Sequence, residues 1–174
     1  LASNRDRTLI ASAFAGTILT CAGGFAQAQD KPPCEQFDWS IKREQAIFGT
    51  AGLKSLPSGG SLGEPGGAAL QLVPNASVPF VLPPGRQPKS AESFGAILGI
   101  ALPKAGAYQV TLSNEAWIDV IQDGHALDST SHSGKRGCAD VRKSVRFNLQ
   151  PGKATIQLSG APANAIDIAI LPAE

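Results

Sequence analysis

From residue 68 onward, apolar side chains recur at every second position, and this period of two constrains the fold more than any other feature of the chain. Tyr108, Val110 and Leu112 share one side of an extended segment. So do Val145, Phe147 and Leu149, then Ile156 and Leu158, then Ile166, Ile168 and Ile170. Successive side chains of a strand point to opposite faces, so each segment has one oily and one polar face. ALQLV, VPFVL, FGAILGIAL, AYQVTLS, AWIDVIQ, VRKSVRFNL, ATIQLSG and AIDIAIL are therefore predicted strands. Turn signals separate them at Pro74 and Asn75, at 103–106, at Asp123-Gly124, at Pro151-Gly152 and at 160–162. The 19 glycines and 13 prolines supply this punctuation. About eight short strands, each with an apolar face, need a second sheet to cover them. The expectation is an all-β protein, a jelly-roll-like β-sandwich of about eight strands spanning 68–174, with one short N-terminal helix.

Residues 1–28 read as a signal peptide. RDR at 5–7 precedes the uncharged run TLIASAFAGTILTCAGGFA, and Ala26-Gln27-Ala28 fits the small-x-small cleavage pattern. A transmembrane anchor is the competing reading, because the run approaches spanning length; its glycines, threonines and cleavage pattern favour export. Thr20, before Cys21, is larger than a lipoprotein site usually has. Export implies a periplasmic or secreted protein with no transmembrane segment once the signal is removed. Without Arg5, Arg7 and Asp6 the mature chain keeps thirteen basic and thirteen acidic residues, so its charge gives no case for binding nucleic acid.

Two cysteines remain, Cys34 and Cys138. In an oxidising compartment they read as one disulfide joining the N-terminal segment to the C-terminal half, with two buried free thiols as the alternative. Residues 29–67 are expected to hold the helix, within FDWSIKREQAIFGTAG, and then a Gly/Pro-rich loop, SLPSGGSLGEPGG. Asp38 or Ser40 would accept from the first-turn amides, Gly49 or Gly52 would end the helix, and Trp39, Ile47 and Phe48 would form its buried side. PPGRQPKSAES is a second polar loop.

Three constellations bear on chemistry. In AWIDVIQDGHALDS, Asp123-Gly124 is a two-residue hairpin signal, because glycine accepts positive φ without cost. The same stretch supplies carboxylates and one of two histidines. A non-haem iron site needs two histidines and a carboxylate, so His125 and His132 would both be required, with Asp128, Asp119 or Asp123 as third ligand. A calcium site around Asp119 and Asp123 lacks the DxDxDG spacing. Gly59-Gly60-Ser61-Leu62-Gly63 matches G-x-S-x-G but lies in a glycine-rich loop rather than between a strand and a helix. In GKRGCADVRKSVRF, Lys135, Arg136, Arg142, Lys143 and Arg146 stand against Asp140 alone. Arg142, Ser144 and Arg146 point together, away from Val145 and Phe147. That basic ridge suits an anionic glycan, a lipid headgroup or an envelope protein, with a solvated strand face as the bland alternative. Trp117, on the outward side of its strand, is placed to stack on a sugar ring, with packing under a loop as the commoner alternative.

GAYQVTLSNEAWIDVIQDG, VRFNLQPGKATIQLSG and AIDIAIL together resemble the pre-peptidase C-terminal domain, a jelly-roll-like sandwich found after secreted bacterial peptidases. The resemblance covers 103–171 and implies the same fold. With its FDWSIKREQ opening and RKSVRF strand, the chain is also similar to a family of short exported bacterial proteins, some of which carry the name homogentisate 1,2-dioxygenase. That likeness implies Fe2+ and ring cleavage, yet the cupin H-x-H pattern of the larger dioxygenases is missing and no histidine follows His132. The residues favour an exported, non-catalytic binding or accessory module contacting its ligand through Arg142, Arg146 and Trp117. An iron dioxygenase using His125, His132 and Asp128 is the enzyme alternative, and a purely structural envelope protein a third.

Overall fold

The computed structural model describes residues 31–174; the signal-peptide reading and Cys21 lie outside the described residues. The described residues begin with a 3-10 turn, Pro33–Gln36, and the helix α1, Lys42–Phe48. Twelve strands follow: β1 (Ser55–Leu56), β2 (Ser61–Leu62), β3 (Gly66–Gln71), β4 (Val73–Pro74), β5 (Phe94–Leu102) and β6 (Gly106–Leu112), then β7 (Trp117–Gln122), β8 (His125–Leu127), β9 (Ser131–Gly134), β10 (Lys143–Leu149), β11 (Gly152–Ala161) and β12 (Ala165–Pro172). They form two sheets, one ordered β1-β3-β12-β6-β10-β9 and the other β2-β5-β11-β7-β8, with β4 also paired to β5. Pairing is antiparallel except for β1 with β3 and β2 with β5. Among the described residues no helix is long and apolar enough to cross a membrane.

The two inner faces meet in one dry layer. Phe147 stands opposite Tyr108, and Val145 opposite Val110. On the facing sheet Ile156 lies between Leu98 and Val120. All belong to one buried apolar cluster, so the period-two faces do assemble a sandwich core. The chain turns between β7 and β8 at Asp123 (φ 52°) and Gly124 (φ 78°), both left-handed, as a tight hairpin requires.

Three segments depart from the pattern. Residues 55–67, expected to be a loop, supply β1 and β2, because Leu56 and Leu62 are buried in the core and each draws its neighbours into a parallel edge pairing. VPFVL (78–82), expected to be a strand, forms none. Pro79, Pro83 and Pro84 remove ladder donors, and the Gln157 side chain takes over: its Oε1 accepts from the Val81 and Leu82 N–H groups, and its Nε2 donates to the Leu82 carbonyl. Between the Asp123-Gly124 turn and β10, where none of the predicted strands lies, the chain provides the short edge strands β8 and β9.

Helix α1 starts after Ile41 without a side-chain cap; the Ser40 hydroxyl reaches only the Lys42 N–H, at 3.5 Å. Gly49 ends it, its N–H donating to the Gln45 carbonyl. The buried residues are Ile41 and Glu44, three apart on one face, whereas Trp39, Ile47 and Phe48 are half-buried. Trp39 and Phe48 pack with Phe37, Ile41 and Val141 around Cys34 and Cys138. Those cysteines are disulfide-bonded, 104 residues apart.

Candidate functional site

Burial divides the charged strand β10 into two functional faces. Ser144 and Arg146 lie on the outer face of the first sheet, which the N-terminal segment covers. The Ser144 hydroxyl shares a hydrogen bond with Thr111 and accepts from Trp39 Nε1. The Arg146 guanidinium sits 4.2 Å from the Trp39 ring centroid and donates to Gln109 Oε1 and the Glu174 carbonyl. Gln109 in turn donates to buried Glu44, at 2.6 Å. The expected ridge of Arg142, Ser144 and Arg146 is thus divided: Arg146 secures the N-terminal segment, while Arg142, just before β10, belongs elsewhere.

That other place is the mouth of the sandwich, where the edge strands β8 and β9 leave the two sheets apart. A groove of about 730 Å³ opens there, lined by Trp117, Asp119, Asp128, His132, Arg142 and Lys143 over a floor that includes Ile118, Leu127, Val145 and Phe147. A second groove of about 670 Å³ adjoins it, walled by residues 86–90 and by Pro162. The two share Glu115, Trp117, His132 and Lys143.

Trp117 is outward because Ile118 and Val120 point into the core, and it remains 37% exposed. Its orientation is fixed. The indole Nε1 donates to Asp119 Oδ1 at 2.8 Å, two residues along on the same strand face, while Asp119 Oδ2 accepts from the Gly85 N–H at 3.1 Å. One carboxylate therefore holds both the ring and the 83–93 loop. Gly85 has no room for a side chain there, since a Cβ would lie 2.7 Å from Asp119 Oδ1.

Two cations attend the ring, Arg86 and Lys143, each 5.7 Å from its centroid. Arg142 turns instead to Glu115, which accepts from both Nε and Nη2. Lys143 Nζ donates to the Ala116 carbonyl at 3.0 Å. Burial lowers the Lys143 pKa from its ordinary value, Arg142 and Arg86 press the same way, and Glu115 opposes them. A lysine whose folded-state pKa is depressed costs stability while it is charged, and the cost vanishes as pH rises through the ordinary lysine value of about 10.4. Lys143→Met is therefore expected to raise the urea midpoint at neutral pH, and the gain should shrink toward that pH. A gain that grows with pH would contradict the burial argument.

Of the ligand contacts expected from sequence, Trp117 and Arg142 come together and Arg146 does not join them. His132 and Asp128 line the same groove, whereas His125 pairs with Gln122 on the β7–β8 hairpin. Among the described residues no three His, Cys, Asp or Glu side chains are grouped to hold a metal ion. His125, His132 and Asp128 thus offer no ready-made Fe2+ triad, and Asp119 is committed to Trp117 and Gly85. Sequence reasoning passed over Arg86, Glu115, Gly85 and the inward parity of Lys143. That last signal was available: Lys143 has the same parity as Val145 and Phe147, so it faces the inner side at the open end of the sandwich.

No family model, curated protein or solved structure matches the chain.

Proposed function

We propose that the protein is an exported, non-catalytic binding module that captures glycans at the mouth of its β-sandwich, with Trp117 as the stacking platform. The observation that carries this reading is an exposed indole already locked in place, by its hydrogen bond to Asp119, at the junction of two polar-rimmed grooves. Sugar C–H faces stack on aromatic rings, and a ring fixed beforehand loses little freedom on binding. His132, Asp128 and Ser129 supply hydrogen-bonding groups around an apolar floor, the usual make-up of a small-molecule site. The resemblance of 103–171 to a sandwich that accompanies secreted peptidases supports an accessory role, and the sequence pattern at 1–28 supports a periplasmic or extracellular setting. Lipid headgroups and envelope proteins are the competing partners.

Titration calorimetry against hits from a glycan array tests the proposal. Trp117→Ala is expected to weaken capture at least tenfold, about 1.4 kcal/mol, while leaving the unfolding midpoint nearly unchanged. Failure of the wild-type protein to retain any glycan at low salt would overturn the reading. Stoichiometric iron that is lost on replacing His125 and His132 would shift the case to the dioxygenase alternative.

A further inference from the structure

We infer that the ligand is a linear anionic polysaccharide, threaded through both grooves past Trp117 with an acidic group set against Lys143. This rests on the glycan reading and specifies its substrate class.

Shape gives the first argument. The two grooves lie side by side, with Glu115, Trp117, His132 and Lys143 lining both. A single sugar stacked on Trp117 would occupy the junction and leave the space on either side empty. A chain fills both.

Charge gives the second. Glu115 is taken up by the Arg142 fork, and Asp119 by the indole and the Gly85 N–H. Lys143 and Arg86, the two cations beside the ring, make no ion pair among the described residues. Lys143 is half-buried and has three N–H donors for one protein hydrogen-bond acceptor, the Ala116 carbonyl. Glu115 attracts it but is already held by the Arg142 fork, so the ammonium has no ion pair of its own. A ligand oxyanion would supply one. Outside the shared stretch the grooves also carry Asp119, Asp128 and Glu92, none of which forms an ion pair with Lys143 or Arg86. An ammonium is a point charge without the planar fork of arginine, so it reads negative charge rather than carboxylate shape.

Calorimetric titrations of the protein with oligogalacturonides, from the monosaccharide to the hexasaccharide, and with neutral cello-oligosaccharides of matching length provide the test. Affinity for the acidic series is expected to climb with chain length, and the acidic hexasaccharide should bind at least tenfold more tightly than the neutral one at low salt. That preference should fall as ionic strength rises. Lys143→Met and Arg86→Gln should each narrow it several-fold, with the fold checked by an unfolding midpoint that does not drop. Dextran sulfate is expected to compete with the acidic hexasaccharide; failure to compete would show a carboxylate-specific site and overturn the point-charge account of Lys143. Equal binding of neutral and acidic chains would overturn the inference while leaving the glycan reading standing, and affinity independent of length would overturn the threading. Binding to no saccharide at all would overturn the glycan reading itself.

Discussion

Replacing Cys34 and Cys138 together by serine is expected to cost about 4–5 kcal/mol of folding stability, the amount by which closing a loop of this length restricts the unfolded chain in the entropy model. The disulfide spans 104 residues and ties the segment before α1 to the loop that leads into Arg142 and β10. It crosses a small apolar cluster built on Phe37, Ile41 and Val141, which is separate from the sandwich core and too small to hold the N-terminal segment by itself. Without the bond, Trp39 has its Ser144 hydrogen bond and the Arg146 guanidinium to keep it in place. Each is a modest contribution beside the entropy released. Urea unfolding of the oxidised protein, the reduced protein and the double serine variant measures the difference. The reduced and serine forms should agree, and a loss below about 1 kcal/mol would show that the sandwich core alone sets stability. Amide exchange on the Trp39 and Ile41 N–H groups should accelerate more than exchange on β11, since local opening begins where few long-range contacts hold.

How much of this was legible follows from the range over which each determinant acts. The faces of Tyr108-Val110-Leu112 and Val145-Phe147-Leu149 could be read because strand alternation is a local property, and the turn at Asp123-Gly124 because positive φ selects residue types. Leu56 and Leu62 could not, since a two-residue strand has no period to detect. VPFVL has the apolar content of a strand, yet its backbone groups are satisfied by an amide in β11. Parity correctly turned Ser144 and Arg146 away from the core. What covers that face is Trp39, more than a hundred residues earlier, which no local pattern announces. Glu44 illustrates the same limit: it stands among the polar residues of KREQ, yet it is buried and accepts from Gln109 on a distant strand. The groove was half legible. Trp117 and Arg142 follow from alternation and charge, whereas Arg86 reaches the ring from a loop that Asp119 tethers through the Gly85 N–H, a link with no local signature.

Gln157→Leu is expected to lower stability by about 2–3 kcal/mol and also to weaken capture of acidic saccharides, although Gln157 lines neither groove. The side chain is buried on β11 with its amide turned to the 78–82 segment. Leucine fills similar space but leaves the Val81 and Leu82 N–H groups and the Leu82 carbonyl without their partner, and sheltered backbone groups left unpaired cost on the order of 1–3 kcal/mol each. Access of water to this half-buried stretch keeps the total below that sum. The binding effect has a different origin. From residue 78 to 93 the chain forms no strand, so this arm is held by a few point attachments: the Gln157 amide, the Asp119 bond to Gly85 and the apolar contact of Val78. Releasing the first loosens the arm that carries Arg86 to the Trp117 ring. Hydrogen exchange should therefore quicken at Val81 and Leu82 first, and the preference for acidic over neutral oligosaccharides should fall with it. Stability lost without faster exchange at those two amides would mean that Gln157 acts through core packing, and the Asp119 tether alone would then be what positions Arg86.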